Sequence, residues 1–202
     1  MSKNLLVINS SPLSQGSKSR ALTDTFSKEW QLKNSEVSII ERDLSKTALG
    51  HLDEATIGAF FTPEDQLSDD QKERVALSNT LVDELVKADT IIIGAPMHNF
   101  SIPSTLKSYI DLVARAGKTF TYTEEGPIGL LSDKKAYVLA ATGGDYREGS
   151  PASGMNFVDP YLRTVLGFLG IHDVEFISAA NSAKNDEGLN EAQEILKQAI
   201  AA

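Results

Sequence analysis

Short apolar runs alternate with longer amphipathic stretches from one end of this chain to the other, and that alternation leaves few folds open. The runs are Leu5 to Ile8, Thr90 to Gly94, Ala136 to Ala141 and Val174 to Ala179, with a more mixed one at Val37 to Asp43. Each is short and bounded by turn residues, which predicts strands. Between them Ser19 to Asn34, Ser68 to Asp89, Ser104 to Ala116, Val158 to Leu169 and Asp186 to Ala201 read as helices. Ser68-Asp69-Asp70-Gln71 forms a capping box, while Pro103 opens and Gly117 closes the third helix. Strands alternating with helices imply an α/β fold with one parallel sheet covered on both faces, and five such units fit a doubly wound sheet of order 2-1-3-4-5. The stretches Leu44 to Leu67 and Thr142 to Pro160 exceed ordinary connections and are expected to be covering loops.

With 202 residues, 41% of them hydrophobic, the chain suffices for one well-cored domain covering residues 1–202. Acidic residues outnumber basic ones by 28 to 19, giving a net charge of −9 that would repel nucleic acid and anionic membranes. Cysteine is absent, so disulfides and thiolate chemistry are excluded. Leu5 to Ile8 is too short for a signal core or a membrane span, and a cytoplasmic location is expected. His51 and His172 have no partners at metal-ligand spacing, so no metal is expected.

In a sheet of this order ligands bind beyond the carboxyl ends of the strands. The loop after the first strand, Asn9 to Ser19, carries five hydroxyl side chains and a glycine and leads into a helix, an arrangement that suits a phosphate monoester as well as an ordinary N-cap. Gly94-Ala95-Pro96-Met97-His98-Asn99-Phe100-Ser101-Ile102-Pro103 follows the third strand, and its small and apolar residues make a rigid rim for a flat heteroaromatic ring. Gly143-Gly144 after the fourth strand lets backbone approach a ligand closely, or simply turns the chain.

These loops, together with Leu112-Val113-Ala114-Arg115-Ala116-Gly117, Thr119-Phe120-Thr121-Tyr122-Thr123-Glu124, Pro160-Tyr161-Leu162 and Gly167-Phe168-Leu169-Gly170, resemble the bacterial FMN-dependent NADH:quinone and azo reductases of the flavodoxin-like group over nearly the whole chain. The resemblance implies a flavodoxin-like fold, with FMN contacts at Ser11, at Ser17, Lys18 and Ser19, at Pro96, Met97, His98, Asn99 and Phe100, and at Ala141, Thr142, Gly143 and Gly144. It implies two-electron transfer from NADH or NADPH, by way of FMN, to quinones and aromatic azo compounds. His98 stands where relatives commonly have tyrosine, Ala141-Thr142 where some have Ser-Arg, and the loop from Gly144 to Pro160 is longer than in relatives.

Within that resemblance the amides of Gly143 and Gly144 are the expected donors to charge developing on the flavin. Asn99 is expected at the pyrimidine edge and Tyr146 beside the acceptor. His98 is read either as a general acid or as a wall of the pocket, with the wall preferred. In the family the aromatics corresponding to Phe120 and Tyr122 reach the active site of a second subunit, which implies a homodimer with shared sites; the alternative is a small core cluster. A flavodoxin-type carrier and a non-catalytic FMN-binding regulator are the alternative functions. A serine hydrolase is disfavoured because His172 lies at the wrong end of a strand, and a receiver domain because Asn9 and Gly94 stand where it needs acids.

Overall fold

The computed structural model describes residues 3–34 and 36–201. Among these residues seven strands, β1 (Lys3–Asn9), β2 (Val37–Asp43), β3 (Thr90–Pro96), β4 (Phe120–Thr123), β5 (Gly126–Gly129), β6 (Lys135–Ala141) and β7 (Asp173–Ala179), are joined by six α-helices, α1 (Lys18–Lys33), α2 (Glu54–Phe61), α3 (Asp69–Lys87), α4 (Ser104–Val113), α5 (Asp159–Phe168) and α6 (Glu187–Ala201). The main sheet runs β2-β1-β3-β6-β7, every pair parallel, which is the expected doubly wound order.

Successive strand residues point to opposite faces, so an apolar run without polar alternation must feed two cores. Leu6, Ile8, Ile91, Ile93 and Val138 pack under α3, α4 and α5. Their neighbours Leu5, Val7, Ile92, Tyr137 and Leu139 pack under α1 and α6. β2 is an edge strand with no fully buried residue, which explains its mixed sequence.

Three details depart from the sequence reading. The stretch from Leu44 to Leu67 is not all loop: Asp53 accepts from the Thr56 amide at 2.7 Å and starts α2. The hairpin β4–β5 is a second, antiparallel sheet whose four-residue strands are too short to register as periodicity. α4 ends at Val113 rather than beside Gly117, because the buried Thr119 hydroxyl donates to the Val113 carbonyl at 2.6 Å and accepts from the Arg115 amide at 2.9 Å. Among the described residues no helix is long and apolar enough to cross a membrane.

Gly94 sets how closely α1 approaches the sheet. A Cβ there would meet Thr23 Cγ2 at 2.9 Å and Asn9 Oδ1 at 3.3 Å, while Thr23 itself donates to Asn9 Oδ1 at 2.8 Å. The bare backbone at position 94 therefore lets the N-terminus of α1 settle over the ends of β1 and β3, at the switch point of the sheet.

Candidate functional site

Beyond β1 the chain stays buried through Ser10 and Ser11, and Ser10 Oγ donates to the Gly94 carbonyl at 2.6 Å. Ser17 is the N-cap of α1, accepting from the Arg20 amide at 3.3 Å, and its Oγ lies 3.2 Å from that of Ser19, which is also buried. Among the described residues no protein group accepts a hydrogen bond from the backbone amides of Ser14, Gln15, Gly16, Ser17, Lys18 or Ser19. Consecutive free amides at the start of a 16-residue helix whose first turn holds no acid form an anion site, and two converging hydroxyls complete the donor set for a phosphate. The Lys18 ammonium pairs with Asp186, so what Lys18 offers an anion here is its amide. A cleft of about 530 Å³ touches Ser14, Gly16 and Ser17 and is lined as well by Lys18, Arg20 and Lys46 and by Asp24, Glu41 and Asp43.

Arg20 braces this loop from outside. Its guanidinium donates to the Leu13 carbonyl at 2.8 Å, to the Ser11 carbonyl at 2.7 Å, and to both carboxylate oxygens of Asp43 at 2.7 and 3.0 Å. Burial alone would push the Asp43 carboxyl up, but hydrogen bonds from Arg20 and Ser45 outweigh it and hold the pKa at about 2. Because the folded value lies below the unfolded one, this pair stabilises the fold above the ordinary carboxylate pKa and loses that contribution as pH falls toward 2. Asp43→Asn is accordingly expected to lower the melting temperature at pH 7 and to approach wild type as pH falls from about 4 toward 2. A difference independent of pH in thermal melts would show that the charge plays no part.

The other two loops face this one across the sheet ends. Met97 donates to the Ala141 carbonyl at 2.8 Å, tying Pro96 and Met97 to the end of β6. His98 and Ser101 exchange backbone hydrogen bonds of 2.8 and 3.1 Å, closing a tight turn. At its tip Asn99 (φ 48°) and Phe100 (φ 72°) both lie in the left-handed region, a strain that surrounding structure must hold in place and that clusters at functional sites. The Phe157 amide does so by donating to the Phe100 carbonyl at 2.9 Å, and the Phe100 ring meets Tyr146 edge-on, centroids 6.1 Å apart. Thus the long 142–160 segment clamps the 96–103 loop. After β6, Thr142 donates its amide to Ala179 at 3.0 Å and its hydroxyl to Gly144 at 2.8 Å. Among the described residues the amides of Gly143 and Gly144 have no protein acceptor, so the turn fixes two donors beyond the sheet. His98 and Asn99 are exposed, and Tyr146 is half-buried.

Phe120 is 7% exposed and packs, tilted, against Phe168 of its own chain with centroids 4.6 Å apart. Phe120 is thus engaged within its own chain, whereas Tyr122, expected with it at a partner's site, is 70% exposed and edge-on to Phe120. The burial follows from position: Phe120 begins β4 where the hairpin leans on α5, whereas Tyr122, on the same face, lies two residues farther along the strand. The bracing role of Arg20 and the clamp at Phe157 escaped the sequence reading, since a brace acting on carbonyl groups and a backbone clamp leave no residue-type pattern.

Residues 3–200 match the family model described as flavodoxin-like fold. The chain is 50% identical over 196 residues to an FMN-dependent NADH:quinone oxidoreductase of Hydrogenovibrio crunogenus, covering 97% of this chain and 96% of the relative. A protein of the same description from Herminiimonas arsenicoxydans is 50% identical over 188 residues, covering 93% and 92%. The chain belongs to the FMN-dependent NADH:quinone oxidoreductase family. Consistent with membership, an azoreductase from Bacillus anthracis superposes with a TM-score of 0.89 at 30% identity, covering 99% of each chain. An FMN-dependent NADH-azoreductase from the same species, solved in complex with FMN, gives 0.89 at 26% identity, covering 100% of this chain and 98% of that one. The family's fold is therefore retained here around a turn that carries His98, Asn99 and Phe100.

Proposed function

We propose that this chain is an FMN-dependent oxidoreductase that passes two electrons from reduced nicotinamide to quinones and aromatic azo compounds. The observation that carries the reading is the run of free amides from Ser14 to Ser19 capped by the Ser17 and Ser19 hydroxyls, a donor set shaped for one terminal phosphate. When bound, FMN supplies the two-electron chemistry. The chain's own residues hold it and shape its surroundings. Ser11, Ser17, Ser19 and the amide of Lys18 bind the phosphate; Pro96 to Phe100 and Ala141 to Gly144 flank the ring. The amides of Gly143 and Gly144 face the edge that gains negative charge, where fixed dipoles act without reorganising.

Asn99 hydrogen-bonds the pyrimidine edge from its place at the left-handed tip of the turn. His98 walls the pocket, because its backbone is committed on both sides to Ser101. Tyr146 borders the acceptor, held there by its packing on Gly144, where a Cβ would come within 3.2 Å of the ring. Nicotinamide donor and acceptor occupy one place in turn, giving ping-pong kinetics. The chain works as a single domain in a cytoplasmic homodimer, Tyr122 of each subunit completing the other's site.

Purified protein is expected to carry FMN, identified by chromatography after heat release, and to oxidise NADH in the presence of a quinone or azo dye with parallel double-reciprocal plots. Bound FMN without turnover would leave an electron carrier or a regulator. FAD, or no flavin after reconstitution, would overturn the cofactor.

A further inference from the structure

We propose that Arg20 is a positioning residue for the cofactor: its guanidinium clasps the phosphate-binding loop to the end of β2, aiming amides at the phosphate without touching it. The inference rests on the FMN reading above.

Residue 20 meets the loop at both ends. Its backbone amide donates to Ser17 Oγ at 3.3 Å, fixing the side chain that caps α1. Its guanidinium reaches back to the carbonyls of Leu13 and Ser11 at 2.8 and 2.7 Å. In a trans peptide the carbonyl of one residue and the N–H of the next point in opposite directions. Holding the Leu13 carbonyl against Arg20 therefore turns the Ser14 amide, the first of the free amides that run to Ser19, away from the guanidinium.

The clasp is anchored in the main sheet. Asp43 ends β2 in register with Asn9, the last residue of β1, and takes two hydrogen bonds from the fork. It also accepts from the Ser45 amide at 3.0 Å and the Ser45 hydroxyl at 2.7 Å, so the carboxylate is held from two directions. With Nε on Leu13, Nη1 on Asp43 and Nη2 shared among Ser11, Asp43 and Ser45, each guanidinium nitrogen donates to a protein acceptor. A lysine carries the charge but has no planar fork with which to span Leu13, Ser11 and Asp43 together.

FMN and riboflavin differ only by the phosphate, so the ratio of their affinities reads the loop alone. Apoprotein of wild type, Arg20→Met and Arg20→Lys is titrated with each by flavin fluorescence. Wild type is expected to prefer FMN strongly. Arg20→Met is expected to lose about ten- to a hundredfold in FMN affinity, the range seen when the group orienting a ligand-bearing group is removed from a metal site. Its riboflavin affinity is expected to stay within about twofold, and Arg20→Lys is expected not to restore the ratio. A residue that only stabilised the fold would lower both affinities together or neither. A wild-type ratio retained in Arg20→Met, or restored by lysine, overturns the clasp and leaves the FMN reading standing. A wild type that does not distinguish FMN from riboflavin overturns that reading itself, and the clasp with it. If Arg20→Met fails to fold, Arg20→Lys decides alone: a lowered ratio supports the clasp and an unchanged one overturns it.

Discussion

Replacing both Ser17 and Ser19 by alanine is expected to weaken FMN binding by about a hundredfold to ten-thousandfold. Each hydrogen bond to a charged phosphate contributes about 1.5–3 kcal/mol, and every 1.4 kcal/mol is a factor of ten. Both hydroxyls are buried and their oxygens lie 3.2 Å apart, so they converge on one point rather than serving separate turns. Ser17 has a second task, since its oxygen caps α1, and losing a cap costs about 1 kcal/mol of stability. The two effects separate experimentally. Capping shows in the melting of the apoprotein and falls mainly on Ser17→Ala. Phosphate binding shows in the FMN titration, falls on both variants, and is absent with riboflavin. Unchanged FMN affinity in the double variant would place the phosphate elsewhere.

The sheet was legible because its strands are buried on both faces: runs such as Leu5 to Ile8 and Ala136 to Ala141 have no polar alternation, as strands of a doubly covered parallel sheet require, and helical stretches separate them. The loops at its carboxyl ends were legible for a related reason, since a hydroxyl-rich turn, a Pro-bounded rim and paired glycines each carry their chemistry in their composition. What stayed hidden depends on contacts distant in sequence or on backbone geometry. The early end of α4 turns on one hydroxyl six residues downstream, that of Thr119 on the Val113 carbonyl. The Arg20–Asp43 pair spans 23 residues and acts on carbonyl groups that every residue has. The left-handed Asn99 and Phe100 give no sign in a sequence, because neither is the glycine that such a backbone favours.

Phe120 and Tyr122 are expected to fail in different ways when truncated, although they are two residues apart on one strand. Phe120→Ala removes a ring 7% exposed that packs on Phe168 at 4.6 Å, and a large-to-small change of that kind in a core costs about 3–5 kcal/mol. Thermal or denaturant unfolding should register it, with any loss of activity following the loss of folded protein. Tyr122→Ala removes a ring 70% exposed, so the fold should hold. The register pairs Tyr122 with Pro127 and Thr121 with Ile128, so the exposed Tyr122 ring lies on the Phe120 face of the hairpin, where a second subunit would cover it, and Ile128 lies on the other face. If Tyr122 completes the partner's site, its loss should raise KM for a flat quinone or azo dye by up to about tenfold, the contribution of one aromatic pair, while kcat and FMN content stay unchanged. Light scattering across a dilution series, with activity measured in the same samples, tests the assembly on which this depends: turnover should fall as the dimer dissociates. A monomer working at full rate, or a Tyr122→Ala protein equal to wild type with every acceptor, would show that each chain works alone and that the exposed face of the hairpin has no part in the reaction.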